Sequence, residues 1–332
     1  MGLFDKIKEP VFLKDTTDAE EQINLMEEFA KTAPDDVKKK IDYDIRLIKA
    51  GIKGEENILF ELKNSGMPMI IIRDLFLVSG ELSAQIDFLI VTRKLSYIIE
   101  CKNLFGNIEI NSKGDFIRTV NYGGNFKKEG IYSPVTQNMR HLEVIRQIRR
   151  NTKTNLISKA IFDKYFEENY KSVVVLSNPK TIVNMKYAKK EIKDKVIRYD
   201  QLVEYIKNTN KKSKQEYMSE RQMEELADFF LKINQKKQVD YTERYKRILE
   251  TRLNLEPVTS ENEIQHDEKE CGSILQETMP EEKIICPKCG ALMVRRKAQK
   301  GPNAGNEFYG CSRYPKCRCI VNIKPENKKD IF

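Results

Sequence analysis

The sequence predicts an α/β protein, with a mixed sheet flanked by helices, followed by a small C-terminal zinc ribbon. Apolar, β-branched runs of strand length lie between amphipathic segments of helix length. Their order, helix, strands, helix, strand, strand, helix, indicates an α/β sandwich rather than a barrel or a bundle. Five of the seven cysteines fall within the last fifty or so residues, which is typical of a metal-binding module in a cytosolic protein.

The elements follow in chain order. The amphipathic pattern of residues 15–64 predicts two helical segments, and the second runs from Asp35 to about Lys63. Five strands of a mainly antiparallel meander come next, separated by glycine- and serine-rich turns: Met69–Val78, Gln85–Val91, Ser96–Asn103, Asn107–Ile110 and Asp115–Tyr122.

The second half of this region alternates helices and buried strands. Ser133-Pro134 predicts the start of a helix, with Ser133 as the N-cap and Pro134 at the first helical position. Lys171–Ser177 is a continuous apolar strand of the buried kind. We expect a further strand at Lys195–Tyr199, helices at Asp200–Lys207 and Ser219–Asn234, and a loop at 210–214.

Composition divides the chain into six parts. Residues 256–283 are acidic, poor in aromatic residues and without period, which predicts a flexible linker. The expected organisation is an N-terminal helical segment (1–40), the main α/β domain (41–208), a helical extension (209–255), the linker (256–283), a four-cysteine module (284–322) and a basic tail (323–332).

The charge balance favours an anionic partner. A net charge of +9 and a pI near 9.0 suit nucleic acid best, although acidic lipid would also fit. The first residues lack the apolar core of a signal peptide, and no run approaches the roughly 20 residues of a membrane helix. We therefore expect a cytoplasmic protein that binds DNA and no membrane. Homo-oligomerisation is left open.

One predicted hairpin carries three charges. Asp87 lies on the strand Gln85–Val91, while Glu100 and Lys102 lie on Ser96–Asn103. A tight turn at Arg93-Lys94 pairs Asp87 with Glu100, and a longer loop pairs it with Lys102; both registers keep the three charges on one face. Burying them together would be costly unless a cation or a substrate uses them.

These residue types suit phosphodiester hydrolysis. Asp87 and Glu100 could hold Mg²⁺ or Mn²⁺ in an oxygen-rich, incompletely filled shell, and Lys102 could orient or activate the attacking water and balance the charge of the phosphate. A third carboxylate is available after Gly54, where we choose Glu55 and keep Glu56 in reserve. Taken singly, such residues usually form solvated faces or cross-strand ion pairs; their combination favours a site.

Two nearby residues receive no firm role. Cys101 points to the opposite face from Glu100, and we expect it to be a packed thiol rather than a nucleophile. His141 lies one turn below Gln137 on the predicted helix and could reach the site, but a helical histidine is more often structural.

The pattern resembles the PD-(D/E)XK nuclease core, in which an acid on one strand precedes Glu-x-Lys on the next. Together with Gly54-Glu55, Gly106, and Ser133–Gln137 followed by His141, it resembles the nuclease-related domain called NERD over roughly residues 45–150, and more loosely to about 205. The resemblance implies a restriction-endonuclease-like fold, a metal on Asp87 and Glu100, a catalytic Lys102, and a pocket completed by Glu55 and Gln137. In many branches of these nucleases a proline precedes the first acidic residue of the motif; in this sequence Ile86 occupies that position.

The C-terminal cysteines predict a structural zinc site. Cys286 and Cys289 form one knuckle, and Cys311 and Cys317 form the other after 21 intervening residues. Cys319 could replace Cys317; we prefer Cys317. A module this short has little core, so the metal would supply most of its folding free energy.

This module resembles the zinc finger at the C-terminus of type IA DNA topoisomerases, which implies binding of single-stranded DNA. Its cations would follow phosphates while its rings stack on bases. We expect Phe308 to be core and a ribbon that binds protein to be the alternative. The candidate DNA-binding residues are Arg295, Arg296, Lys297, Arg313, Tyr314 and Lys316.

The predicted function is a metal-dependent deoxyribonuclease, tethered through the linker to a ribbon that holds DNA. The alternative is an adaptor that binds DNA or a partner through a relic nuclease fold. The sequence does not distinguish endonuclease from exonuclease, nor the preferred substrate shape.

Overall fold

The computed structural model describes residues 7–237, 239–253, 293–297, 307–311, 317 and 319–322. The chain forms two compact units, Met1–Pro257 and Val258–Phe332. In the described residues no helix is long and apolar enough to cross a membrane.

The first unit alternates strands and helices along the chain. Its helices are α1 (Ala19–Thr32), α2 (Asp35–Lys63), α3 (Pro134–Asn151), α4 (Leu156–Asn169), α5 (Lys190–Lys193), α6 (Leu202–Lys212), α7 (Glu220–Lys232) and α8 (Glu243–Leu253). Its strands are β1 (Pro10–Lys14), β2 (Met69–Ser79), β3 (Leu82–Thr92), β4 (Ser96–Lys102), β5 (Asn107–Ile110), β6 (Phe116–Tyr122), β7 (Asn125–Ile131), β8 (Tyr170–Leu176), β9 (Val183–Asn184) and β10 (Val196–Arg198).

A six-stranded mixed sheet, in the order β1-β2-β3-β4-β8-β10, forms the centre of this unit. Strands β2, β3 and β4 pair antiparallel, whereas β1, β8 and β10 join in parallel. One face packs against α3, α4 and α7, and the other against α2 and α6. The strands are apolar on both faces because helices cover both. The predicted mixed α/β class is confirmed.

The expected single meander is divided between two sheets. Strands β5, β6, β7 and β9 form a separate four-stranded sheet in the order β7-β6-β5-β9. The chain leaves β4 and turns at Gly106, whose φ is +92° and whose added Cβ would lie 2.6 Å from the carbonyl oxygen of Thr119. Only glycine suits both that conformation and that close approach.

Several elements were not predicted. Strand β1, the polar strand β7, and helices α4 and α8 have no counterpart in the expected order, and the region expected as a loop at 210–214 contains the end of α6. Residues 1–40 hold β1 as well as helix. The physical reason is that β1 and β7 are specified by their partners: β1 pairs with β2 some 59 residues away, from Pro10 to Met69, and β7 is mostly exposed.

The helices after α6 belong to the packing of the first unit. Met223, Ala227 and Phe230 of α7 are buried under the main sheet. Tyr245 of α8 packs in a smaller core with α1 and the first half of α2, where its hydroxyl donates to the carboxylate of Asp44 and where Arg244 also pairs with Asp44. These helices therefore stabilise the unit that carries the site.

The second unit contains a three-stranded antiparallel sheet in the order β11-β12-β13. The strands are β11 (Met293–Lys297), β12 (Glu307–Cys311) and β13 (Ile320–Asn322). The register places Met293 opposite Cys311 and Tyr309 opposite both Arg295 and Val321.

Candidate active site

The hairpin register brings Asp87 beside Glu100. Strands β3 and β4 pair Val91 with Ser96 and Phe88 with Ile99, which is the tight-turn register; continued by one step, it sets Asp87 opposite Glu100. There the carboxylate oxygen Oδ2 of Asp87 accepts a hydrogen bond from the backbone N–H of Cys101 at 2.6 Å. The carboxylate of Asp87 thus accepts the hydrogen bond of a β4 backbone N–H at the point where the backbone pairing of β3 with β4 ends.

Asp87 lies at a break in the alternation of side chains between the two faces of the sheet. In β3, Ala84 and Ile86 share the α3 face with Leu89 and Val91, so the alternation breaks between 86 and 89. Strand β2 breaks likewise between Ile72 and Leu75, and Asp74 inside that break has φ +54°. A non-glycine residue rarely adopts this conformation. Because of this irregularity, the side chain of Asp87 does not follow the regular alternation of the strand, and it lies at the edge of the core.

Glu100 is the most enclosed of the three predicted charges. It is 2% exposed. Its Oε1 lies 3.0 Å from Nζ of Lys102, and its Oε2 lies 3.2 Å from Nδ1 of His141 on α3. Lys102 reaches Glu100 because residues two apart on a strand share a face. His141, which received no firm role from the sequence pattern, is therefore part of the site.

Glu55 approaches from the other helical layer. Its Oε2 accepts a hydrogen bond from Nε of Arg73 at 2.8 Å, and Arg73 also donates to the carbonyl oxygen of Asp15 at 3.0 Å. Arg73 is almost fully buried. Sequence reasoning missed Arg73; the available signal was the pair Arg73-Asp74, which interrupts an otherwise apolar strand.

Close packing fixes α2 against the end of the sheet. A Cβ on Gly54 would lie 2.4 Å from Oγ of Ser177 and 2.7 Å from Cβ of Asn103. Asn57 donates to the carbonyl oxygen of Ser177 at 3.0 Å, and Asn103 donates to that of Ala50 at 2.6 Å. This contact sets the distance from Glu55 to the strands, because Gly54 precedes Glu55 on the same turn.

The carboxylates influence one another's ionisation. Burial, then the charges of Glu100 and Glu55, raises the pKa of Asp87 well above its usual value. Burial also raises the pKa of Glu55, although Arg73 opposes it. For Glu100, burial is outweighed by His141 and Lys102, which lower its pKa. The three carboxylates therefore differ in how readily they ionise: Asp87 and Glu55 less readily than usual and Glu100 more readily.

The pKa values of Lys102 and Cys101 are also shifted by these carboxylates. Lys102 is mostly buried, which would lower its pKa, but Glu100 and Asp87 reverse the effect and raise it. Burial and the carboxylates of Asp87 and Glu55 raise the pKa of the Cys101 thiol, whose Sγ lies 3.3 Å from Oγ of Ser177. Cys101 is thus a neutral thiol, as expected of a packed residue.

The donor set fits a divalent cation of the Mg²⁺ type. Mg²⁺ prefers oxygen ligands and is often held by only one or two carboxylates together with water and substrate phosphates. Asp87 and Glu100 supply two such carboxylates, and the pKa of Asp87 is raised first by burial and then by the charges of Glu100 and Glu55. Within the described residues, no three His, Cys, Asp or Glu side chains converge as a preformed ligand group.

The other predicted site residues have different environments. Gln137 is half-buried on the first turn of α3, and its side chain forms no hydrogen bond with any described residue. Glu56 faces outward and pairs with Lys53 at 3.0 Å. The structure thus brings together Glu55, Asp87, Glu100 and Lys102, while Gln137 lies one helical turn before His141 on α3.

Part of the predicted ribbon site is described. Cys311 and Cys317 are buried, and the backbone N–H of Cys311 donates to the carbonyl oxygen of Cys319 at 3.1 Å. Candidate DNA-binding residues Arg295, Arg296 and Lys297 lie on β11. Outside the described residues lie Cys286, Cys289, Arg313, Tyr314 and Lys316.

Comparison with known proteins agrees with both resemblances. Residues 50–177 match the family NERD, the nuclease-related domain, and residues 283–326 match the family described as topoisomerase DNA binding C4 zinc finger. DNA topoisomerase 1 of Methanocaldococcus jannaschii is 45% identical over 56 residues of the zinc-finger region, which is 17% of this chain and 6% of that enzyme.

The match therefore spans only a small part of the topoisomerase. No solved structure is significantly similar to the chain. The chain thus matches the nuclease-related domain over residues 50–177 and the topoisomerase-type C4 zinc finger over residues 283–326.

Proposed function

We propose that the protein is a metal-dependent deoxyribonuclease whose zinc ribbon holds DNA, with a preference for exposed single strand. The observation that carries the proposal is the grouping of three carboxylates, those of Glu55, Asp87 and Glu100, in which Glu100 is buried beside Lys102 and influences the pKa of Asp87. Neighbouring carboxylates that raise one another's pKa are typical of sites that bind a cation and a phosphate.

Asp87 and Glu100 would hold Mg²⁺ or Mn²⁺. Bound there, the ion would supply charge neutralisation at the phosphate and a more acidic attacking water. The Cys101 N–H holds Asp87 in place, and His141 and Lys102 hold Glu100. Glu55 and Gln137 would complete the pocket. The hydrogen bond from Arg73 would hold Glu55 in position.

Lys102 would contribute the group nearest the nucleophile. Its ammonium stays charged because Glu100 and Asp87 raise its pKa, so it suits a role in orienting water and balancing phosphate charge rather than one as a general base. No covalent intermediate is required, since water is the nucleophile.

In the ribbon, Cys286, Cys289, Cys311 and Cys317 would bind structural Zn²⁺. The similarity to a DNA-binding C4 zinc finger supports DNA as the partner. Arg295, Arg296, Lys297, Arg313 and Lys316 would contact phosphates, and Tyr314 would stack on a base.

A second candidate is an adaptor that binds DNA without cutting it. One observation favours it: Glu55 is paired with Arg73 and Glu100 with Lys102, and the described residues contain no converging group of three ligands. An adaptor would bind DNA equally well with or without an intact Asp87.

The test is cleavage of labelled single-stranded, duplex and forked DNA by the wild type and Lys102→Ala, with Mg²⁺, with Mn²⁺ or with EDTA. The proposal predicts cutting that requires the metal and disappears in the variant. Tight binding without cutting under every condition would favour the adaptor.

A further inference from the structure

Two loops leave the catalytic end of the main sheet side by side. Strands β4 and β8 are parallel and pair Lys102 with Leu176. Beyond this pair, the Ser177 N–H donates to the carbonyl oxygen of Lys102 at 3.0 Å, and the Thr181 hydroxyl donates to that of Leu104 at 2.6 Å. The segments 103–106 and 177–182 are therefore joined directly after the strand that carries Lys102.

These joined loops expose two large apolar side chains. Phe105 is 63% exposed and Ile182 is 67% exposed. They are held near each other, because the Ile182 N–H reaches Oδ1 of Asn107 at 3.4 Å and the Ile108 N–H donates to the carbonyl oxygen of Ile182 at 2.9 Å. The neighbouring Leu104 and Thr181 are buried, so the backbone below the exposed pair is anchored.

The surroundings of this pair are basic. Residues 178–190 contain four lysines and no acidic residue, and all four lysines are exposed. In the same segment Tyr187 is largely exposed, with Nζ of Lys186 5.4 Å from its ring centre. Glu109, on the adjoining strand β5, lies 3.7 Å from Nζ of Lys128 and is thereby partly neutralised. The charge is complementary to a phosphate backbone.

We propose that this surface, formed by Phe105, Ile182 and Tyr187 with Lys180 and Lys186 and here called the Phe105 surface, binds the unpaired strand of DNA beside the cleaved bond. The inference rests on the proposed nuclease function. Aromatic and aliphatic side chains pack against unstacked bases, which a closed duplex does not offer, while lysines contact the phosphates. Phe105 follows Lys102 by three positions, which sets these bases next to the reacting phosphate.

Photocrosslinking tests the contact without requiring cleavage. The full-length protein would carry p-benzoylphenylalanine in place of Phe105, with the matched control at Ile157, an exposed residue of α4. With no added Mg²⁺ or Mn²⁺, we expect crosslinks to a labelled single-stranded oligonucleotide from position 105 and not from position 157. Unlabelled single strand should compete better than duplex. Equal crosslinking at both positions, or equal competition by duplex, would overturn the proposal.

A kinetic test uses the double variant Phe105→Ala/Ile182→Ala. We expect its KM for single-stranded DNA to rise about tenfold, within the range seen for removal of stacking side chains, while Ile157→Ala/Ile161→Ala on α4 behaves as wild type. An unchanged KM would contradict the Phe105 surface and leave the nuclease intact. Crosslinking from position 105 without cleavage in any metal would contradict the nuclease and leave the surface intact.

Discussion

The described residues of the two units form cores of very different size. The first unit has a six-stranded sheet covered by helices on both faces, whereas the described residues of the second form a three-stranded sheet, with Cys311 and Cys317 buried. The first unit can therefore tolerate several buried charges at its site. The second would depend on bound metal for its fold. The comparison separates a domain stabilised by its core from one stabilised by zinc.

Removal of a zinc ligand should give the largest effect. We expect Cys311→Ser to lose the zinc and the fold of the second unit, because structural zinc contributes about 10–16 kcal/mol to small modules. Metal analysis and binding of single-stranded DNA would measure the loss. Cys101→Ser is the matched control, since Cys101 lies in the first unit; it should retain the zinc. Retained zinc and DNA binding in Cys311→Ser would remove the contrast between the units.

The next effect should be confined to the first unit. Gly54→Ala places a methyl group 2.4 Å from Ser177 and 2.7 Å from Asn103, and we expect it to lower the free energy of unfolding by about 1–3 kcal/mol. At Gly51, also in α2, nothing lies within 4 Å of the added Cβ; Gly51→Ala should stabilise by up to about 1 kcal/mol. Urea unfolding compares them. Equal effects would mean that α2 is not closely packed there.

The pH dependence of stability should depend on Asp87. Its pKa is raised in the folded state, so as pH rises past the ordinary aspartate pKa the unfolded chain releases the proton first, and stability falls until pH passes the folded pKa. In metal-free protein, Asp87→Asn should lose less stability than wild type over this window. Urea unfolding at several pH values would measure the difference. Parallel pH profiles would contradict the raised pKa of Asp87.

The smallest expected effects are on kcat and concern two residues of α3. His141 contacts Glu100, whereas the side chain of Gln137 has no hydrogen bond to a described residue. We therefore expect His141→Ala to lower kcat by about tenfold, as is typical when a residue orienting a metal ligand is removed. Gln137→Ala should have a smaller effect. Single-turnover cleavage would rank them, and the reverse order would favour Gln137 as the direct participant.

The sequence predicted the parts of the site that depend on local pattern. Asp87, Glu100 and Lys102 could be grouped because strand alternation and a tight turn determine their spacing. Glu55 could be added because glycine next to it allows close approach. The buried strands were equally visible as apolar runs.

The parts that depend on distant pairing were not predictable. Arg73 becomes a partner of Glu55 only when α2 packs on β2, and β1 becomes a strand only beside β2. The break in alternation at Asp74 and Asp87 has no local signature beyond two charges in an apolar run. Helix α4 exposes much of its apolar surface, so its pattern resembled no amphipathic helix.

The most direct test of the account is calorimetric titration of Mn²⁺ into the zinc-loaded protein, comparing wild type with Asp87→Asn. We predict one Mn²⁺ site in the first unit, with an affinity that increases as pH rises, because the metal competes with the proton for Asp87, whose pKa is raised. The variant should lose the site while keeping its zinc. Equal Mn²⁺ binding by both proteins, or no binding by the wild type, would contradict the assignment of these buried carboxylates to a cation site.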